Sequence, residues 1–255
     1  MTVGAVFKQD ETQVEHCPVR RTCPMGSLCG RRRAEGSAPL YPTVERFAKG
    51  ELVWADLRYE QRVHFVKAGI LAFTPNFDLE DGVTVSLFGA GYSIGLAELY
   101  IPRSVAGHYH LGAVTDGALC SFPARALKRH LEALPPAESL SIVTCALTNL
   151  VEASCTQVRT VAKTSLRERI VLLFARLREL ASQQGADLRE VRLTHEDVAA
   201  LAASDRASVT RALHVLRQDG LIELGYKTIR FTDALLAAAD GCVDVHSNFQ
   251  RPKSA

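Results

Sequence analysis

The stretch Thr194–Ile222, THEDVAALAASDRASVTRALHVLRQDGLI, leaves this chain few choices. Thr194 with Asp197 three residues on resembles a capping box, with Asp in place of the usual Glu or Gln. Val198, Leu201 and Ala202 give the short helix that follows one apolar stripe. A break at Ala203-Ser204 comes next, and Asp205 is placed to cap a second helix running from Arg206 to Gln218. In that helix Val209, Leu213 and Leu216 recur at helical spacing and face inward. Arg206, Thr210, Arg211 and Arg217 are left outside. Asp219-Gly220 supplies a stop. LIEL-GYK-TIRF then reads as two short strands around a turn, so the unit is expected to be winged.

Two short helices joined by a tight turn, the second with arginines on its free face, have a shape that enters a DNA major groove. Arg206, Ala207 and Ser208 sit where a recognition helix begins, and Thr210 and Arg211 lie one turn on. Arginine can pair bidentately with guanine or hold phosphate. The plain alternative is a helical hairpin with a solvated charged face, but length, cap, turn and wing all agree on DNA contact. The net charge of +2 hides an asymmetry that fits. Lys and Arg number 9 against 12 Asp and Glu over residues 40–158, but 13 against 9 over residues 159–230. A basic later part suits phosphate contact at one end of the molecule.

A hydrophobic content of 47% over 255 residues allows two modest domains with real cores. No stretch is apolar for the roughly 18 residues that a membrane span needs. The opening residues lack a basic-then-apolar export signal, so a cytoplasmic protein with no membrane partner is expected. Seven cysteines, an odd number, then argue against a disulfide framework and for a metal or redox role. Three of them lie in HCPVRRTCPMGSLCGRRR, where five residues separate Cys17 from Cys23 and Cys23 from Cys29. Pro18 and Pro24 push the cysteines before them out of helical conformation, and Gly26 and Gly30 permit tight reversals. Such a loop can turn several sulfurs towards one point. Arg20, Arg21, Arg31, Arg32 and Arg33 would lower the thiol pKa values and offset thiolate charge. The same ligands would serve zinc, and the basic run alone would suit a solvated tail. Cys145 and Cys155 read as small buried residues, and Cys242 carries no signal.

The expected class is α+β, in five segments. Residues 1–39 form the cysteine-containing segment. Residues 40–136 alternate short apolar runs with Gly, Pro and Asp, which predicts an antiparallel β-roll, jelly-roll-like. Residues 137–164 form one long helix whose Leu140, Val143, Leu147, Leu150, Val151, Ser154, Val158 and Val161 fall near an alternating three-and-four spacing. An amphipathic helix packed on its own roll would show that pattern too. The length and the half-polar seam favour a dimerisation helix of marginal strength. Residues 165–240 hold a second apolar-faced helix (Ile170, Leu173, Phe174, Leu177) and the winged helix-turn-helix, and 241–255 are a tail. His108-Tyr109-His110 on a strand resembles the start of a cupin metal site, but no following Glu or later His is well placed, so a metalloenzyme is a remote alternative. Ser-His-Asp, Walker and dinucleotide patterns are not seen.

This roll, long helix and winged helix-turn-helix resemble the cyclic-AMP receptor protein and FNR superfamily of bacterial transcription regulators, most specifically through SLRERIVLLFARL and RLTHEDVAALAASDRASVTRALHVLRQDGLIEL. The cysteines resemble the FNR branch, which the resemblance ties to an oxygen-labile [4Fe-4S] cluster. It implies Cys23, Cys29 and Cys17 as ligands, with Cys120 in GALCSFP as the distant fourth. It further implies a homodimer on a palindromic double-stranded DNA operator, RNA polymerase as a partner, and an activator controlled by oxygen or nitric oxide. Two departures stand out. Five residues separate Cys17 and Cys23 where the family has two, and Ala207 stands where relatives carry a glutamate, so the half-site should differ at that base. Tyr92 and His108-Tyr109 replace the residues that hold a cyclic nucleotide, which disfavours that ligand. The alternative is the same architecture sensing another small molecule in the roll, with zinc or no metal.

Overall fold

The computed structural model describes residues 6–8, 17–30, 40–54, 62–75, 84–96, 99–100, 109–163 and 165–243. His108, Arg31 to Arg33 and most of the tail expected at 241–255 lie outside the described residues. The chain forms two compact units, residues 1–158 with 180–187, and residues 159–179 with 188–255. None of the described helices is long and apolar enough to cross a membrane.

The first unit is the expected antiparallel roll. Its strands are β1 (Val6–Lys8), β2 (Thr43–Phe47), β3 (Leu52–Trp54), β4 (Arg62–Ala68), β5 (Leu71–Pro75), β6 (Ser86–Phe88), β7 (Ser93–Ile94), β8 (Tyr109–Ala113) and β9 (Gly117–Pro123). They form two sheets, in the orders β1-β2-β9-β4-β7 and β3-β8-β5-β6. The turn between β4 and β5 needs glycine. Gly69 has φ +89°, and a Cβ there would stand 2.6 Å from the Asp116 carbonyl oxygen. Apolar side chains of β4 and β9 (Val63, Phe65, Phe122) meet helix α1 (Ala124–Glu132) through Leu127 and Leu131. Phe65 and Phe122 pack edge to face, with ring centroids 5.9 Å apart.

The long helix α2 spans Pro136–Val161, against an expectation of 137–164. One face is buried against its own roll through Ile142, Ala146, Ala153 and Gln157, with the Gln157 Nε2 donating to the Thr84 carbonyl (3.1 Å). Leu140, Leu147, Leu150, Val151 and Val158 are exposed on this single chain, and Val143 and Val161 are half-buried. Ser154, expected in the outward seam, instead shares a 2.9 Å hydrogen bond with Ser86 on β6. Cys145 and Cys155, expected to be buried, are exposed.

The described cysteine segment, residues 17–30, is not the loose leader its composition suggests. The Cys23 N–H donates to the Val19 carbonyl (2.8 Å) and the Cys29 N–H to the Met25 carbonyl (2.8 Å), so Pro18 and Pro24 each open one helical turn. Met25 and Leu28 are fully buried in the same apolar cluster as Phe65, Phe122, Leu127, Ile142 and Ala146.

The second unit is organised by helix α3 (Leu166–Ser182), which opens it and whose end, from Leu180, belongs to the first unit. Strand β10 (Glu190–Val191), helix α4 (His195–Leu201), helix α5 (Arg206–Gln218), strands β11 (Ile222–Gly225) and β12 (Thr228–Phe231) and helix α6 (Asp233–Val243) follow. Its core joins Ile170, Phe174 and Leu177 of α3 to Val198, Leu201, Val209, Leu213, Leu216 and Phe231, all buried. The three strands pair antiparallel in the order β10-β12-β11, which makes the expected wing.

Candidate nucleic-acid interface and cysteine cavity

Helices α4 and α5 are set by the caps read from the sequence. The Thr194 hydroxyl accepts from the Asp197 N–H (3.1 Å), while the Asp197 carboxylate accepts from the Thr194 N–H (2.8 Å). The Asp205 carboxylate accepts from the Ser208 N–H (2.8 Å), a bond that holds this carboxyl below its ordinary pKa. The turn between the helices takes Ala203 to φ 49°, an unusual value for alanine. The Arg169 Nη1 of α3 donates to the carbonyls of Ala202 (3.1 Å) and Ala203 (3.0 Å), satisfying the end of α4 and bracing the turn. Nothing in the spacing of the sequence pointed to Arg169, because its partners are backbone atoms 33 and 34 residues away.

On α5, Arg206, Ala207, Arg211 and Arg217 are exposed and Ser208 and Thr210 half-buried. Helical spacing puts Ala207, Arg211, His214 and Gln218 along the middle of the outward face, so His214 joins Arg206, Thr210, Arg211 and Arg217 as a candidate. The signal was its place one turn beyond Arg211. The Arg211 Nη2 donates to the Ser208 hydroxyl (2.8 Å), and the Arg206 Nε stands 3.9 Å from a Glu196 carboxylate oxygen. The Thr210 hydroxyl donates to the Arg206 carbonyl (2.9 Å) and lies 2.8 Å from the His195 Nδ1. Beyond α5 the wing ends in Tyr226 and Lys227, with the ammonium 5.5 Å from the ring centre. The face is cationic and capped, and can hold phosphate and read base edges.

In the first unit the four cysteines come together. Cys17, Cys23, Cys29 and Cys120 line one cavity with Val19, Met25, Gly26, Phe65, Val66 and Phe122, and Arg20 and Lys67 join them. Cys120 reaches it from β9, where the register sets it opposite Val44 on one side and Phe65 on the other. Gly26 is required here, since a Cβ would collide with the Arg20 carbonyl.

The thiols are shifted up on balance, against the expected lowering, although Arg20 does act in the expected direction at Cys29. Burial pushes Cys23 up to about 12 and Cys29 up to about 11, and raises Cys120 further. The neighbouring sulfurs add to the rise. Arg20 and Lys67 oppose it at Cys29, and Lys67 at Cys120, but desolvation wins. Among the described residues no group of three or more His, Cys, Asp or Glu stands ready to hold a single metal ion. Tyr92 is buried and stacked on Phe88 (5.6 Å), and His110 lies on β8.

Residues 168–237 match the family model of the Crp-like helix-turn-helix domain. Over 206 residues the chain is 25% identical to the global nitrogen regulator of Synechococcus elongatus, covering 80% of this chain and 91% of that protein. It is 24% identical over 202 residues to the global nitrogen regulator of a Nostoc species, covering 78% and 88%. Among solved structures, a CRP/FNR-family transcriptional regulator of Thermus thermophilus superposes with a TM-score of 0.59 at 21% identity, covering 77% of this chain and 98% of that one. FixK2 of Bradyrhizobium japonicum superposes with a TM-score of 0.57 at 14% identity, covering 77% and 96%. The structural likenesses establish a shared fold.

Proposed function

Taking the chain as a DNA-binding transcription regulator of CRP/FNR architecture, and not an enzyme, we propose that it works as a homodimer whose operator binding is controlled by an oxygen-labile [4Fe-4S] cluster. The observation that carries this is the cavity shared by Cys17, Cys23, Cys29 and Cys120. These residues fit such a group. They offer four sulfur donors, Phe65 and Phe122 line the same cavity, and Lys67 and Arg20 stand ready to offset thiolate charge. When bound, the cluster would supply a cross-link between the segment 17–30 and β9 that oxygen or nitric oxide can break. The chain's own part is to hold the four sulfurs: Cys17 precedes the first turn, the turns after Pro18 and Pro24 present Cys23 and Cys29, and β9 presents Cys120.

Dimerisation through the exposed Leu140, Leu147, Val151 and Val158 of α2 would set two α5 helices on successive major grooves of a palindromic duplex, about 34 Å apart. A bound pair next to a promoter would meet RNA polymerase, as an activator. A tenfold change in affinity requires only about 1.4 kcal/mol, within reach of one altered interface. The likeness to global nitrogen regulators supports a second reading. There the roll senses a small molecule, the row Thr84, Ser86, Ser154 and Gln157 between roll and α2 provides polar contacts, and the cysteines hold zinc or no metal.

Anaerobic purification with a visible spectrum and iron and sulfide analysis, before and after air, separates the two. The cluster reading expects broad charge-transfer absorbance lost in air, and loss of both absorbance and regulated DNA binding in Cys23→Ser and Cys120→Ser. Iron-free protein that binds its operator as a dimer equally well with and without air overturns it, and zinc without sulfide favours the second reading.

A further inference from the structure

We infer that His195 is a positioning residue that decides how Thr210 reads DNA: it locks the Thr210 side chain so that the recognition helix offers a thymine the threonine methyl group and no hydrogen-bond donor. The inference rests on the DNA-binding reading of α5 and is independent of the cluster.

One proton decides what the Thr210 hydroxyl can do. The Thr210 hydroxyl has a single hydrogen and lies 2.9 Å from the Arg206 carbonyl and 2.8 Å from the His195 Nδ1. A carbonyl oxygen can only accept, so the Thr210 hydrogen goes to Arg206. The short contact to His195 then requires the Nδ1 to carry a hydrogen and donate it to Thr210. The hydroxyl has spent its donor and one of its two acceptor positions inside the protein, and no hydrogen remains for a base. Threonine in a helix divides between two side-chain rotamers because its oxygen can bond back to the preceding turn. His195, reaching over from the first turn of α4, bonds to one of them and thereby selects it.

Its one open acceptor position has no use against the O4 acceptor of thymine, so what Thr210 has left to offer that base is its methyl group. A methyl against the 5-methyl of thymine is a recognised way to read that base in the major groove, and cytosine, which lacks that methyl, does not provide it. Serine at the same position would offer no methyl. His195 is half-buried and sits beside the Thr194 and Asp197 cap, so the rigidity of the α4 start is passed to the side chain across the groove.

The test uses the full-length dimer and the tightest duplex it selects from a randomised library, remade with deoxyuridine in place of each thymidine in turn. At one thymine in each half-site, loss of the 5-methyl should weaken binding about fourfold, the worth of one buried methyl group. Thr210→Val, which keeps a methyl and drops the hydroxyl, should retain that discrimination. Thr210→Ser and His195→Ala should lose it, and His195→Asn, whose amide can donate from near the Nδ1 position, should restore it. A merely structural role for His195 would lower binding to thymine and uracil duplexes alike. Equal binding of thymine and uracil duplexes at every position overturns the inference, as does a Thr210→Ser protein that discriminates like the original. A protein that selects no duplex at all overturns the DNA reading and this inference with it.

Discussion

The substitution Leu28→Ala tests whether apolar burial, and not sulfur chemistry, is what docks the cysteine segment on the roll. Leu28 is 0% exposed and packs in one cluster with Met25, Phe65, Phe122 and Leu127. Truncation removes three carbons, a transfer loss of about 2.4 kcal/mol at about 0.8 kcal/mol per buried CH2. The cavity left behind raises the cost towards about 5 kcal/mol where the surroundings cannot collapse. Because the segment can open while the roll stays folded, the loss should appear as local opening. A cost of about 2.4 kcal/mol multiplies the open population by roughly 50. The assay is the rate at which Cys23 and Cys29 in metal-free protein react with a thiol reagent, set beside the thermal unfolding of the whole chain. Both thiols should react at least tens of times faster. Leu28→Met, which conserves volume, should stay near the original rate. Labelling of Leu28→Ala within about threefold of the original would refute the reasoning and leave the segment held by something other than its apolar contacts.

Arg169→Met leaves the Ala202 and Ala203 carbonyls without their charged donor and should destabilise the helix-turn-helix unit by roughly 2–3 kcal/mol, read as a lower thermal midpoint and weaker DNA binding together. Arg211→Ala should cost roughly 1–3 kcal/mol of operator affinity with no change in folding, measured by titration against the selected duplex. In metal-free protein the raised thiols bind protons more tightly folded than unfolded. Their stabilisation is therefore complete below the ordinary value of 9.0 and is lost as pH climbs through the folded values of about 11 and about 12. Denaturant melts should show the roll weakening across that window, and Cys23→Ala with Cys29→Ala should flatten the slope. If the cavity holds a cluster, Lys67→Gln should speed bleaching in air by about fivefold, and Lys67→Arg should restore the original rate.

How much of this was readable beforehand depends on how local each determinant is. The caps at Thr194 and Asp205, the stripe Val209, Leu213 and Leu216, and the strand pair around Tyr226-Lys227 are each contained within a few residues, and the structure has all of them. The alternating runs of 40–123 implied an antiparallel roll, but not that Cys120 would face Phe65 across a strand pair 55 residues apart. The docking of residues 17–30 was hidden because Val19, Met25 and Leu28 follow no helix or strand period. Ser154 looked like a weak point in an outward seam because periodicity cannot reveal a hydroxyl waiting on β6. The thiol electrostatics were misread for a related reason. Nearby arginines are visible in a sequence, whereas the desolvation that outweighs Arg20 at Cys29 appears only once the chain has closed over the sulfurs.

Met25 and Leu28 occupy the same packed volume as Ile142 and Ala146, near the start of α2. Interiors this dense leave little room for vacated space, so withdrawal of the sulfur-bearing turns would strip packing from the start of this helix as well as from α1 and the strands beside it. Val158 lies about 24 Å along the axis from Ile142, and a tilt of about 5° at that root would swing it by about 2 Å, enough to unmesh facing side chains. A helix tilting in that way would act as a pointer pivoted next to the thiols, turning a small loss of packing at one end into a displacement of about 2 Å at the other.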